Sequence, residues 1–331
     1  IAKQRLLGGE LSLEGLNLSF LQDVLPSVER TSGLYSGQAK LSGSLSKPEI
    51  TGHFNLSDGL LKSDYLPETL SGISIEGEFN QQQMDYQGVF SSEGGQATLG
   101  GSLNWQHDWE LNTTLSSEAF GITPRSGVNL TIKPELSLLL REGFADVSGT
   151  LEIPFARIEI DTLPEGTKSI SSDARVVGNE QMSTGTPWRY QANIKLMLGD
   201  DVYFRGFGVN TYLTGQLLLQ QKPGRTLVSK GEINTEDGFY TIFGQRLTVK
   251  EGRFIFNGPL EQPDLQLDAM RFIPGESTKV GVKVTGAADE PEVIFYSQPT
   301  MNETSIIHYL LTGRAPDQGE NNSDLLNNMM L

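Results

Sequence analysis

Apolar and polar residues alternate with a period of two along much of this 331-residue chain. Ile50, Phe54 and Leu56 belong to one such set, and Leu265 and Leu267 belong to another. Successive side chains of a β-strand point to opposite faces, so each set predicts one apolar face of a strand. Many short alternating runs separated by turn residues predict an all-β architecture.

Two short phrases recur in the sequence and predict where strands turn. Gly, four residues, Pro, an acid and an aliphatic residue occur at 43–50, 258–265 and 286–293. A second phrase, at 52–59 and 231–238, begins with Gly and ends with Asp-Gly. Gly supplies turn conformations, and Pro lacks the N–H that an inner strand needs. The phrases predict strand–turn–strand units, and the two Asp-Gly pairs predict hairpin turns.

Two segments have helical spacing instead. Residues 19–25 predict a short helix with Ser19 as its N-cap, and residues 302–311 predict a helix that ends at Gly313. We expect a first β part at 1–123, a second at 124–300, and a helical, partly flexible segment at 301–331.

Charge and composition argue against several classes of protein. The chain has 25 basic and 41 acidic residues, a net charge of −16, which argues against a nucleic-acid partner. The same charge disfavours binding to anionic lipid headgroups by charge alone. No cysteine is present, which excludes disulfides and zinc sites built on Cys. No apolar run reaches the ~18–20 residues of a membrane helix, so we expect any anchoring segment to lie upstream and the chain to continue downstream.

The sequence lacks the common motifs of catalysis and metal binding. His53, His107 and His308 are far apart, and we expect surface or structural roles for them. There is no His-Glu-x-x-His, Gly-x-Ser-x-Gly or Walker loop. The acidic pair at 200–201 predicts a turn after Gly199 rather than a carboxylate or calcium site. We expect no catalytic residue, no metal and no cofactor, and therefore a protein that is not an enzyme.

The alternating apolar residues are compatible with two architectures. One is a closed core between two sheets, and the other is an open, curved sheet with an apolar inner face that serves lipid. Candidate residues for such a groove are the same-face apolar sets of the clearest strands. They are Ile50, Phe54, Leu56, Leu217, Leu219, Phe254, Phe256, Leu265, Leu267, Val282, Val284, Val293 and Phe295.

Several segments closely resemble the conserved C-terminal domain of the TamB family. They are residues 198–204 (Leu-Gly-Asp-Asp-Val-Tyr-Phe), 238–247, 252–259, 286–297 and 309–314, with 149–158 and 163–172 upstream. Each motif alone is weak, but their combination is specific, and the resemblance covers most of the chain.

The resemblance implies a fold and a setting. The family is related to AsmA-like, bridge-forming lipid-transfer proteins, in which a long sheet curls into a taco-shaped groove with an apolar interior. It implies the periplasmic portion of an inner-membrane-anchored protein of a Gram-negative bacterium. The implied partners are phospholipid acyl chains, the Omp85-type outer-membrane barrel TamA, and outer-membrane protein clients. Relative to the family, the anchoring helix and the terminal strand that ends in an aromatic residue are missing from this sequence.

Three functions follow as hypotheses. The first is a non-enzymatic bridge that carries phospholipid acyl chains between the two membranes. The second is an assembly factor for outer-membrane β-barrel proteins and autotransporters, which templates client strands at a free sheet edge. The third is a rigid spacer without cargo.

Overall fold

The computed structural model describes residues 6–160, 188–206, 208–242 and 244–315. Within them, sixteen strands form one sheet whose spatial order is the order of the chain. The first nine strands are β1 (Gly9–Asn17), β2 (Val28–Ser44), β3 (Lys47–Ser63), β4 (Leu70–Gln81), β5 (Gln83–Ser92), β6 (Gly95–Asn104), β7 (Glu110–Arg125), β8 (Val128–Arg141) and β9 (Phe144–Ile160). The other seven are β10 (Arg189–Gly206), β11 (Val209–Gln221), β12 (Val228–Ile242), β13 (Gln245–Gly258), β14 (Asp264–Phe272), β15 (Lys279–Ala287) and β16 (Glu292–Gln298).

The sheet is open. Each strand pairs with the next in antiparallel fashion, except β9 and β10, which are parallel. Among the described residues β1 pairs only with β2 and β16 only with β15, so the sheet does not close on itself. At ~4.8 Å per strand, sixteen strands extend about 70 Å. This confirms the predicted elongated all-β sheet and rules out a division into two packed sheets within the described ranges.

The connection after β6 reaches back across the sheet. The indole N–H of Trp105, which follows β6, donates a 3.2 Å hydrogen bond to the carbonyl of Pro48 in β3. The backbone N–H of Trp105 donates a 2.9 Å hydrogen bond to the carbonyl of Gln82, between β4 and β5. Trp105 thus lies across the ends of β4 and β5 and reaches β3.

The first recurring phrase forms hairpins, as predicted. Its three copies connect β2 to β3, β13 to β14, and β15 to β16. The register of the intervening strands places all three connections at the same end of the strands, a side of the sheet that we call the Gly-Pro edge. Strands β7, β9 and β10 also begin at this edge.

The hairpin prediction for the two Asp-Gly pairs is wrong. Both pairs lie inside strands, where the two residues oppose a single residue of a neighbouring strand, Gly33 in β2 or Thr211 in β11. Asp58 and Asp237 have nearly the same backbone, with φ of 52° and 50°. Each pair is thus a β-bulge, which bends and twists its strand instead of reversing the chain. Asp-Gly suits both structures because both need a left-handed residue.

The turn predicted at residues 200–201 is also wrong. These residues lie within β10, at a register shift that falls between Leu198 and Tyr203 in the pairing with β11. Asp201 pairs with Arg157 of β9, at 2.7 Å between Oδ1 and Nη2. The acidic pair is therefore part of an irregular strand, and one of its members makes an exposed ion pair.

Two helical segments accompany the sheet. A 3₁₀ turn at Leu18–Phe20 leads into α1 (Leu21–Val24). Asn17, not the predicted Ser19, caps the 3₁₀ turn, and Phe20 holds the N-cap position of α1 without a side-chain hydrogen bond. Asn17 Oδ1 accepts a 2.9 Å hydrogen bond from the Ser19 N–H. The second helix, α2 (Glu303–Thr312), matches its prediction and ends at Gly313, which is left-handed with φ of 73°.

None of the helices in the described ranges has both the length and the apolar character needed to cross a membrane. Residues 126–127 form the turn between β7 and β8, so residue 124 lies within β7 and the sheet continues past it. The division of the chain at residue 124 stays a prediction. Two predictions fall outside the described residues: the family resemblance of residues 163–172, and the part of the predicted flexible C-terminal segment at 316–331.

Candidate functional site

One face of the sheet carries an uninterrupted row of apolar positions. Residues directly opposite each other on paired strands share a face, so the register can be followed from strand to strand. From β3 to β11 the row is Leu56, Ile75, Gly88, Leu99, Leu115, Leu136, Gly149, Ile194 and Leu219. We call the face that contains this row the inner face.

The opposite, outer face carries a polar row formed by residues adjacent in sequence to those of the inner row. In the same order it is Asn55, Glu76, Gln87, Gly100, Thr114, Ser137, Ser148, Asn193 and Gln220. A shift of one residue exchanges the two faces of a strand, so the register keeps every apolar side chain of the inner row on one side.

All thirteen sequence-predicted groove residues lie on the inner face. The register joins Leu217 to Phe256 through Gly231, and Phe254 to Leu265 directly. It then joins Leu267 to Val284 and Val293, and Val282 to Phe295. The earlier set, Ile50, Phe54 and Leu56, is in register with the same face through the row described above.

Sequence reasoning missed the middle of this face. It named no candidate between β4 and β10, where Ile75, Leu99, Leu115, Leu136 and Ile194 continue the row. The signal was present, because each of these residues alternates with polar neighbours in its own strand. Only the register shows that they form one surface with the candidates on either side.

The inner face is half-buried although no second sheet covers it in the described part of the chain. The aliphatic side chains of the row are shielded by their neighbours, while most side chains of the outer row are exposed. This asymmetry is expected when a single sheet curves around its apolar side. The inner face is therefore the lining of a long open groove.

Glycines on the inner face let aromatic rings lie flat across the lining. A Cβ at Gly77 would stand 2.4 Å from the ring of Phe54, and one at Gly101 would stand 2.9 Å from the hydroxyl of Tyr86. Phe54 also stacks on Tyr35, with centroids 6.0 Å apart and an interplanar angle of 18°. The Tyr86 hydroxyl reaches beyond Gly101 to hydrogen-bond Thr113, so these large side chains line the groove without filling it.

Helix α2 covers the inner face near the last strands. Ile306, Tyr309 and Leu310 are buried in a cluster with sheet residues that include Leu247 and Val280, both fully buried. Of the thirteen candidates, Val282 belongs to this cluster, and Val284 and Phe295 pack against it. The lining at these three positions is thus occupied by the protein's own helix.

Polar contacts fix both ends of α2. Asn302 Oδ1 accepts a 2.8 Å hydrogen bond from the Ser305 N–H and caps the N-terminus. At the other end, Gln245 donates a 3.2 Å hydrogen bond to the Leu311 carbonyl, and the Arg271 guanidinium hydrogen-bonds Gln245. A cation at a helix C-terminus is favourable because carbonyl dipoles converge there.

The chemistry of the described residues is that of a surface for apolar contact. They contain no group of three or more His, Asp or Glu side chains that could hold a metal ion. His53 is exposed on the outer face and His107 is exposed in the connection between β6 and β7. His308 is 6% exposed in α2. What the arrangement offers is a continuous apolar lining with polar edges.

Comparison with known proteins identifies the family. A family model described as the TamB C-terminal domain matches residues 82–330, and one described as the TamB N-terminal domain matches residues 1–56. The chain is 31% identical over 332 residues to the translocation and assembly module subunit TamB of Haemophilus influenzae, a match that covers 95% of this chain. It spans about a quarter, 26%, of the length of that relative. The chain belongs to the TamB family.

Proposed function

We propose that this chain carries phospholipid acyl chains along its inner face, as a non-enzymatic periplasmic segment of a bridge between the inner and outer membranes. The observation that carries the proposal is the unbroken apolar row from Leu56 to Leu219. All thirteen groove candidates share the face of this row. We assign ten of them to the lipid-contacting surface, because α2 covers Val282, Val284 and Phe295.

The physical basis is the transfer of acyl chains out of water. Each buried methylene group contributes about 0.8 kcal/mol, so a lining along which a chain can lie stabilises it without any covalent chemistry. The groove is open along its length, which leaves the charged headgroup in water. Because the lining continues from strand to strand, a lipid can move along it without losing contact with apolar side chains.

The setting follows from the relative. Its name describes a subunit of a translocation and assembly module, and we propose that this chain acts in such a module. The partner that fits is the Omp85-type barrel TamA in the outer membrane, and the location is the periplasm of a Gram-negative cell. In this setting the groove needs no cofactor, because it supplies only an apolar path.

A pair of consecutive residues provides the test. Leu136→Asp places a charge on the inner face in the middle of the row, and Ser137→Asp places the same charge on the outer face of the same strand. Lipid is extracted from each purified protein and quantified by mass spectrometry. We expect phospholipid with the wild type and with S137D, and its loss with L136D at unchanged circular dichroism. Equal lipid content in the two variants contradicts the proposal.

A second candidate function has its own observation. The outer edge of β16 is unpaired among the described residues, and Val293 and Ile294 at this edge are 48% and 47% exposed. Such an edge can add a strand from another chain, which supports the alternative of an assembly factor for outer-membrane β-barrel proteins and autotransporters. This alternative predicts that Ile294→Lys impairs folding of a client barrel into lipid vesicles. It also predicts that L136D leaves client folding intact. Acyl-chain transport predicts instead that L136D impairs function and that I294K does not.

A further inference from the structure

Aromatic side chains cluster on a short stretch of the Gly-Pro edge, where strand pairing does not require them. Trp109 precedes β7 and Trp188 precedes β10, yet their ring centroids are 6.5 Å apart. They are 38% and 46% exposed. Tyr190, on the inner face in register with Ala145, is 57% exposed beside them. Large aromatic side chains with polar tips that stay exposed at one edge are typical of positions between an apolar and an aqueous phase.

Two arginines stand on the outer side of the same stretch. Arg141, Phe144 and Arg189 lie directly opposite one another on β8, β9 and β10. The guanidinium carbons of Arg141 and Arg189 are 4.7 and 5.9 Å from the centroid of the Phe144 ring. Stacking on a ring holds a guanidinium in place while its N–H groups stay free to donate.

Neither arginine has a carboxylate within ion-pair distance in the described part of the chain. Glu110 lies opposite Arg141 in the register, but its Oε1 accepts a 3.1 Å hydrogen bond from Asn112. Exposed Lys222 and Arg225 continue the cationic stretch in the next connection along this edge. These cations stand out in a chain whose net charge is −16.

The stretch is mixed in sign rather than uniformly basic. Asp108, Glu110 and Glu142 stand among the cations. A surface of this kind does not gather polyanions such as nucleic acid, which need sustained positive charge. It is complementary to a group that carries a phosphate and an ammonium side by side, as a zwitterionic phospholipid headgroup does.

We infer that the Gly-Pro edge between β7 and β10 is a binding site for zwitterionic phospholipid headgroups. The guanidinium groups of Arg141 and Arg189 bind the phosphate, and the neighbouring carboxylates of the same stretch bind the ammonium. The rings of Trp109 and Trp188 contact the glycerol region. The inference rests on the proposed function, because it places the headgroup at one edge of the groove while the acyl chains enter the lining. It predicts that lipids lie in the groove with a fixed orientation across the strands.

The two tryptophans report on the site directly. Trp105 is the third tryptophan of the chain, so Trp105→Phe in the 331-residue protein leaves Trp109 and Trp188 as the only tryptophans, which are excited selectively at ~295 nm or above. Vesicles of phosphatidylcholine brominated on the acyl chains quench tryptophans that approach the lipid. We expect quenching in this parent protein without any anionic lipid in the vesicles.

Charge variants then separate the site from general adsorption. Arg141→Gln together with Arg189→Gln removes both guanidinium charges, and we expect the vesicle affinity to fall about tenfold or more. Arg246→Gln is the matched control, since Arg246 also stacks on a ring, that of Phe239 at 3.5 Å, but at the opposite edge of the sheet. Arg141→Lys with Arg189→Lys keeps the charge and should restore part of the affinity. Circular dichroism of each variant verifies that the sheet is retained.

The outcomes distinguish the headgroup site from the groove. Unchanged quenching in the double Gln variant, or an equal loss in R246Q, overturns the inference. Quenching that appears only with phosphatidylglycerol overturns it as well, because the site would then be a general anion patch. The lipid content of wild type and L136D is measured independently. If lipid is retained in the groove and the arginine variants have no effect, the proposed function stands without this site. If the arginine variants lose vesicle affinity but wild type and L136D contain equal lipid, the site stands without the groove.

Discussion

The hydroxyl of Tyr309 donates a 2.8 Å hydrogen bond to Oε2 of Glu276, and this bond joins α2 to the connection between β14 and β15. Tyr309 is only 6% exposed, and its ring belongs to the cluster between the helix and the inner face. Packing and a charged hydrogen bond thus act together to hold α2 over the lining. If the helix moves, Val282 and its neighbours become part of the open groove.

Removing that hydrogen bond should loosen α2. Tyr309→Phe keeps the ring but loses the donor, and a hydrogen bond to a charged group contributes about 1.5–3 kcal/mol. Glu276 is exposed and can be solvated in the variant, so we expect the lower end of that range. Amide hydrogen exchange over residues 303–312 should accelerate about tenfold, since 1.4 kcal/mol corresponds to a factor of ten. Tyr65→Phe, at a site that is 83% exposed, is the control. Unchanged protection of α2 in Y309F would show that packing alone holds the helix.

Gly231 should be irreplaceable on the inner face. Its φ is 135°, and a Cβ there would stand 2.2 Å from the carbonyl oxygen of Gln216 on the neighbouring strand. Gly231→Ala therefore combines backbone strain with a clash against main chain, and we expect a loss of at least about 2 kcal/mol in the free energy of unfolding. Gly258→Ala is the matched control, because a Cβ there meets nothing within 4 Å. Urea unfolding measures the free energy of unfolding of both variants. Equal midpoints for the two variants would show that the strands relax around the new methyl group at residue 231.

Alkaline pH should destabilise the last strands. Burial, followed by the 2.5 Å hydrogen bond to Asp268 Oδ1, raises the pKa of Tyr296 well above its ordinary value. The folded protein then holds a proton that the unfolded chain releases, so this stabilisation is complete below pH ~10 and is lost as the pH rises above it. Urea midpoints between pH ~9 and ~11.5 should fall less steeply for Tyr296→Phe than for the wild type. Parallel declines would exclude Tyr296 as the cause.

The sequence predicts the faces of this sheet better than its bends. Alternation indicates that Phe54 and Leu267 lie on the apolar faces of their strands, because a period of two leaves little choice of side once a strand forms. Asp58 and Asp237 were assigned to hairpins because a bulge and a tight turn both need a residue with positive φ. Local sequence does not separate these two structures, and only the pairing with the neighbouring strands does.

Contacts between residues far apart in the chain could not be predicted from the sequence. Nothing near Tyr309 in the sequence indicates that its helix lies over Leu247. Likewise, Trp109 and Trp188 are far apart in the chain, and they meet only because β7 and β10 begin at the same edge. The register brings these residues together, and alternation within single strands carries no information about it.

Photo-crosslinking at consecutive residues tests the central claim most directly. A benzophenone amino acid is placed at Leu136 or Leu219 on the inner row, and at Ser137 or Gln220 on the outer row, and adducts formed in cells are identified by mass spectrometry. An acyl-lined groove predicts phospholipid adducts at Leu136 and Leu219 and none at Ser137 and Gln220. Lipid adducts at both members of each pair, or at neither, would contradict the assignment of the inner face as the path for lipid.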